Sequence, residues 1–269
     1  MGIKGTKNSH IQIPQSLLKA FSSPVSIENS LGLKETPNMI FKMDMEGNIT
    51  QERIKDTNTE FGYYEDFIET TLLKSVEDAF GDFKARLIKS IKANKLPIFT
   101  LDDVVVVQKF CSLCLIRSPS FVKDFTQKSV FIDFIANAPQ NAVIYQYFKT
   151  PKHIDKYILG DNISYVKNET SINYVLPQFY AIGIRQKDNT IDYFIPITPK
   201  VLVRLTSAKT IIGKQLIIGL MRESDVDNLN KYAIQQELLH NHIAIYAKEE
   251  GDLEKYVSFI KTLSLKRGG

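Results

Sequence analysis

Tryptophan is absent from this 269-residue sequence, and cysteine occurs only twice, as Cys111 and Cys114 in one short run. A secreted chain of this length more often carries several cysteines in a disulfide framework. No stretch approaches the ~18 uncharged apolar residues that mark a membrane-spanning helix. The polar start, residues 1–7, is not followed by an apolar signal region. These absences predict a reducing, cytoplasmic setting with no membrane span. There is no long basic tract of the kind that forms a nucleic-acid arm, and no internal repeat. A G-x-S-x-G elbow, a P-loop, a dinucleotide fingerprint and an H-E-x-x-H pair are all missing.

What is present is ordinary for a folded protein. Apolar residues make up 43% and charged residues 24% of the chain, a balance that excludes wholesale disorder. Sixteen Phe and 12 Tyr supply the aromatic bulk. The length suffices for one large domain or two small ones with a packed core. The formal charge of +4 is a weak pointer to an anionic partner.

Residues 1–9 read as a flexible lead and 10–265 as one α+β domain, helix-rich over 60–160, with a sheet and closing helices over 163–265. Pro14 permits a helix only just after it. Residues 22–38, rich in Ser, Asn, Gly and Pro, read as loop. Two short apolar runs, 40–44 and 49–51, flank Glu46-Gly47-Asn48 as a small hairpin. Leu72, Val76, Ala79, Phe83, Leu87 and Ile91 recur at helical spacing and predict a helix over 65–93, ended by Lys95-Leu96-Pro97. Thr100 with Asp103 resembles a capping box, so the next stretch reads as helix despite the four valines at 104–107. Shorter helices are expected over 120–137 and 151–159. Strands are expected over 174–184 and 191–205, linked at Lys187-Asp188-Asn189, and another over 215–220. Helical spacing returns over 224–246 and 252–263. This order predicts an α+β fold in which a helical subregion, 65–93 and 100–117, packs beside an antiparallel sheet from 172–206.

Several motifs fall in a familiar order. His10 to Phe21, with Pro14, resembles the opening His-x-x-Pro motif of a large family of uncharacterised, mostly bacterial proteins, domain of unknown function 4238. The segment 40–49 resembles that family's first hairpin, and Gly62-Tyr63-Tyr64 with Glu69 and Glu77 its acidic first helix. Leu115-Ile116-Arg117-Ser118-Pro119 resembles its Arg-x-Pro helix end, and Phe194-Ile195-Pro196-Ile197-Thr198-Pro199 its late Pro-containing strand. Leu229-Asn230 sits where its final helix begins. Two departures stand out. His10 lies four residues before Pro14, where the family has three, and Ile11 holds the usual place. The stretch Tyr174-Val175-Leu176-Pro177-Gln178 lacks the carboxylate the family often carries there. The resemblance implies a bacterial or phage source and no known reaction; through the family's typical hosts it implies a setting in phage defence or on a mobile element for the enzyme reading below.

Three residues stand out as site candidates: His10, Glu69 and Arg117. On a helical wheel Glu69 falls near the centre of the apolar stripe. An inward carboxylate is solvated at a helix end, paired, or protonated. Arg117, at the end of the second helix, either caps the last carbonyls or holds a carboxylate or phosphate in its bidentate fork. His10 is either a surface or capping histidine or a general base facing Glu69. Glu77, about 90° from the stripe, is expected in solvent. One His and one Glu do not make a metal site, so no metal ligands and no cofactor are assigned. His240 reads as a buried, satisfied histidine, and His242 lies on the flank of the same helix. Cys111 and Cys114 face the apolar side of their helix and read as inert core thiols. Lys84, Arg86, Lys89, Lys92 and Lys95 place positive charge around the end of the first helix, suiting the helix dipole as well as a nucleic acid.

Two functions follow. The favoured one is a binding or sensor-type protein, or a degenerate family member, in which the three residues form a buried polar lock. The other is a nucleic-acid-processing, phosphoester-cleaving enzyme with His10 as base, Glu69 orienting and Arg117 holding an anion. The partner class is nucleic acid or another anionic ligand; oligomeric state is left open.

Overall fold

The structure is a computed structural model that describes residues 5, 8–28, 34–128, 139–149, 160–187, 189–206, 222–239 and 244–265. It is an α+β fold. In chain order the strands are β1 Asn8–His10, β2 Ser23–Pro24, β3 Ile27–Glu28, β4 Lys34–Glu35, β5 Asn38–Met43, β6 Ile49–Arg53, β7 Thr59–Phe61, β8 Asn162–Lys167, β9 Leu176–Pro177, β10 Ile182–Arg185, β11 Ile191–Thr198, β12 Val201–Thr206 and β13 Ile245–Ala247. The helices are α1 Gln15–Ala20, α2 Lys74–Lys92, α3 Leu101–Ile116, α4 Pro119–Lys128, α5 Pro139–Lys149, α6 Glu223–Leu239 and α7 Glu250–Leu265, with a π-helical turn, Ile68–Leu73, running into α2. No described helix is long and apolar enough to cross a membrane.

Several elements follow from local chemistry. Helix α1 starts directly after Pro14. The β5–β6 hairpin turns at Gly47, whose φ of +83° suits a residue without Cβ. The Asp44 carboxylate fixes this turn by accepting from the backbone N–H groups of Glu46 and Asn48 at 3.0 and 2.8 Å. Helix α2 ends where Asn94 takes a left-handed φ of +51°, a residue type that tolerates it. Thr100 and Asp103 form a true capping box for α3, which holds the valine run in a helix. Pro119 then opens α4 in the first helical position, where its missing N–H costs nothing.

The helices α2 and α3 pack face to face, with the rings of Phe80 and Phe110 stacked at 3.6 Å between centroids. Each fully buried Phe contributes roughly 1.5–3 kcal/mol by leaving water. A four-stranded antiparallel sheet, in the order β10-β11-β12-β8, lies beside them. Its alternation serves two cores. Ile163, Tyr165, Ile195, Ile197, Val203 and Leu205 belong to the α2–α3 core. Val166, Ile182 and Leu202 face the other way and pack with Val226, Leu229 and Ala233 of α6. Pro196 sits in β11 at a register shift against β12, a position where a strand tolerates proline.

The remaining sheets depart from the sequence-based expectation of one sheet over 172–206. Strand β5 pairs with β2, β6 and β13, and β13 in turn pairs with β9. One sheet thus joins the N-terminal hairpin, a central dipeptide and a C-terminal strand. The expected strand 174–184 is split, with Leu176–Pro177 in this sheet and Ile182–Arg185 in the other. Residues 245 and 246, expected as the end of a helix, belong with 247 to a strand because Met43, Phe41 and Pro177 lie ready to pair with it. Asn162–Lys167 is a strand and Pro139–Lys149 a helix, neither of which the sequence predicts. Asn8–His10 pairs with Thr59–Phe61, so residues 8 and 9, expected within the flexible lead, are strand. The expected helix 151–159, the strand 215–220 and the histidines His240 and His242 lie outside the described residues.

Candidate functional site

Arg117 is the centre of the polar cluster. It follows the last turn of α3, its N–H donating to the Leu113 carbonyl at 3.1 Å. Its side chain is 0% exposed. The guanidinium donates through Nε to the Ile11 carbonyl at 3.2 Å and through Nη2 to the His10 carbonyl. Nη1 donates to Glu77 Oε1 at 2.6 Å. Its carbon lies 5.5 Å from the centre of the Tyr64 ring, within cation–π range. The Tyr64 hydroxyl donates to the Ile11 carbonyl at 2.8 Å. Arg117 thus ties the end of α3 to the segment leaving β1 and to the first turns of α2.

This placement selects the carboxylate-holding reading of Arg117 over the capping one and corrects the expectation for Glu77. Arg117 bonds carbonyls of a distant segment rather than the last carbonyls of its own helix. Its ion-pair partner is Glu77, expected in solvent, whose side chain is only 25% exposed. A π-helical turn precedes Glu77 in the same helix. Its i→i+5 bonding takes more residues per turn than an α-helix, which rotates residues 68–73 against the rest of the helix. Ile68 and Leu73, five apart, are both buried, while Leu72 is only half-buried. A wheel drawn at one constant angle misplaces Glu69 and Glu77 relative to each other.

Glu69 lies inside that turn and is half-buried. Its carboxyl shares a side-chain hydrogen bond with Ser9, which is 1% exposed, while Oε2 is sealed from solvent without a partner. Burial pushes its pKa above the usual carboxylate value; Arg117 pulls against this and Glu77 adds to it.

His10 follows Ser9 in β1, so its side chain leaves the opposite face of the strand. Its pKa is lowered to about 4, first by burial and then by the charge of Arg117, against the opposing effect of a hydrogen bond with the Thr57 backbone. Nδ1 is buried without a partner, so the bond to Thr57 falls to Nε2. The imidazole is neutral at pH 7 and leaves Nδ1 as a bare acceptor. Of the three candidates, Arg117 meets His10 through its carbonyl and acts on the Glu69 carboxyl and the His10 ring through its charge.

Among the described residues no group of three or more His, Cys, Asp or Glu could hold a metal ion. Cys111 and Cys114 are free and buried, and burial raises both thiols far from reactive values. Sequence reading missed three further buried polar groups. Glu237 of α6 accepts from the Phe179 N–H at the bend between β9 and β10. Asp192, fully buried in β11, is held by Arg204 of β12 through Nε at 3.0 Å and through Nη2. Asn230 of α6 bridges three segments of chain. Arg204 and Asp192 occupy adjoining strands at a diagonal, a relation visible only once the β11–β12 register is known.

Comparison with protein-family models, with curated proteins and with solved structures gave no match. The family resemblance described above rests on motif order alone.

Proposed function

We propose that this chain is a binding or sensor-type protein, a degenerate relative of the family its motifs resemble, with a nucleic acid or another anionic ligand as partner. The observation that carries this reading is the state of Arg117. An arginine that grips a substrate anion presents its fork to an open site. Here the guanidinium is sealed, and its donors go to Glu77 and to the His10 and Ile11 carbonyls. That is the geometry of a lock between elements. The net charge of +4 supports an anionic partner.

The test is a panel of nuclease and phosphatase substrates with divalent metals, run on the native chain and on Glu69→Gln. The expected outcome is no metal-dependent turnover by either, with Glu69→Gln folded and at least as stable at neutral pH. Turnover by the native chain that vanishes in Glu69→Gln, with folding intact, overturns the reading in favour of a phosphoester-cleaving enzyme.

A further inference from the structure

A groove of about 260 Å³ opens between the C-terminal half of α2, the link 93–100 and the first turn of α3. Phe83, Leu87, Pro97 and Phe99 line it, and Arg86 and Lys89 stand beside them. Ile98 also lines it and is 84% exposed. Leu96 and Leu101, in the same link and first turn, are 63% and 78% exposed. Val105, one helical turn beyond Leu101, is exposed as well. Folded chains rarely leave several large aliphatic side chains in water beside one concavity unless something covers them.

The exposed charge around the groove is mainly positive, four cations against Asp82 and Asp102. Arg86, Lys89, Lys92 and Lys95 are exposed, whereas Lys84 is half-buried and donates to the Ser16 carbonyl at 2.7 Å. Asp103, the carboxylate lining the groove, is buried and already engaged by Thr100 and Arg86. Its bond to Arg86 Nη2 holds that long side chain beside the opening, while the other guanidinium N–H groups stay available. The cations suit the C-terminal end of α2, but the dipole does not account for the aliphatic residues among them.

We propose that this face docks an acidic peptide segment of a partner protein, one apolar side chain entering the groove and flanking carboxylates meeting Arg86, Lys89 and Lys92. The inference rests on the reading of the chain as a binding protein with an anionic partner, and names that partner. The groove is smaller than the ~300–1,000 Å³ of small-molecule pockets and suits a single anchoring side chain. Single-stranded nucleic acid stacks its bases on exposed aromatic rings, and the exposed residues here are aliphatic. A bilayer surface offers no protruding group to fill a concavity.

The experiment is selection from a displayed library of random dodecapeptides against the full chain, followed by fluorescence titration of the enriched peptides. Two double variants, Ile98→Ser with Leu101→Ser and Lys89→Glu with Lys92→Glu, change only exposed side chains. Vesicles of phosphatidylserine with phosphatidylcholine and a single-stranded oligonucleotide are titrated in parallel. The expected result is enrichment of acidic peptides bearing an apolar residue. Their binding weakens about tenfold or more in each double variant and falls with added salt. Enrichment of basic peptides, no enrichment, or binding unchanged in both variants overturns the proposal. If the vesicles or the oligonucleotide bind through these residues and the peptides do not, the docking proposal fails while an anionic partner stands. The turnover panel tests the parent reading separately.

Discussion

Asn230 and Arg117 do the same mechanical task by different chemistry. Each ties together segments far apart in the chain. Asn230 accepts from the Val175 N–H at 3.2 Å and donates to the Asn173 carbonyl at 2.8 Å and the Tyr256 hydroxyl at 3.0 Å. It is a neutral amide with both ends in use, and the unpaired atom beside it, Asn173 Oδ1, is neutral too. Arg117 is a buried cation. The unpaired atoms beside it, Glu69 Oε2 and His10 Nδ1, belong to groups that titrate. A neutral staple holds equally at any pH that leaves its neighbours alone. A charged one makes the fold depend on which neighbours carry protons.

The largest test of this difference is Arg117→Met, which keeps the bulk and removes the charge. It removes the donor that Glu77 and the His10 carbonyl share, while the Ile11 carbonyl keeps only the Tyr64 hydroxyl. Breaking one side of such a pair costs about 3–5 kcal/mol, read as a lowered urea midpoint with little change in slope. A loss under about 1 kcal/mol would mean that the cluster does not hold α3 to β1. Asn230→Ala comes next. It strands the Val175 N–H and the Asn173 carbonyl, at about 2–3 kcal/mol, and the loss is the same at pH 7 and at acid pH. A clearly pH-dependent loss would break the contrast between the two clusters.

How far the sequence foretold these features depended on how local their causes are. The α3 cap at Thr100 and Asp103, the Gly47 hairpin and the start of α1 after Pro14 arise within a few residues, and all three were legible. Strand β13 was not, because residues 245–247 become a strand only where β5 and β9 already wait. The split of 174–184 between two sheets has the same cause. At the candidate site, the inward lean of Glu69 showed on a helical wheel, since its apolar neighbours share its face. The Glu77–Arg117 pair did not, because a residue on the flank of the stripe pairs only when the fold brings a cation to it, and Arg117 lies 40 residues away at the end of another helix. His10 was legible as a residue but not in its role, since Arg117 grips its backbone and the ring faces elsewhere.

The smallest effect is also the most diagnostic, because it reads the charge of the cluster rather than its packing. The His10 pKa is about 4 in the folded chain against 6.5 in the unfolded one. As pH falls, the unfolded state takes up the proton first. Stability from this residue is therefore complete above pH 6.5 and is lost progressively toward pH 4. With allowance for solvent screening of a partly exposed ring, the loss is about 1–2 kcal/mol. Glu69 works in the opposite sense. Its raised pKa favours folding at low pH, and that contribution fades as pH rises above the ordinary carboxylate value. The difference between native and His10→Gln melts isolates the histidine, because the carboxylates are common to both. The expected result is a native curve that falls more steeply between pH 6.5 and 4 than the variant's, the two converging near neutrality. Parallel curves would mean that the His10 ring is solvated, and the contrast with the Asn230 staple would then rest on Arg117 alone.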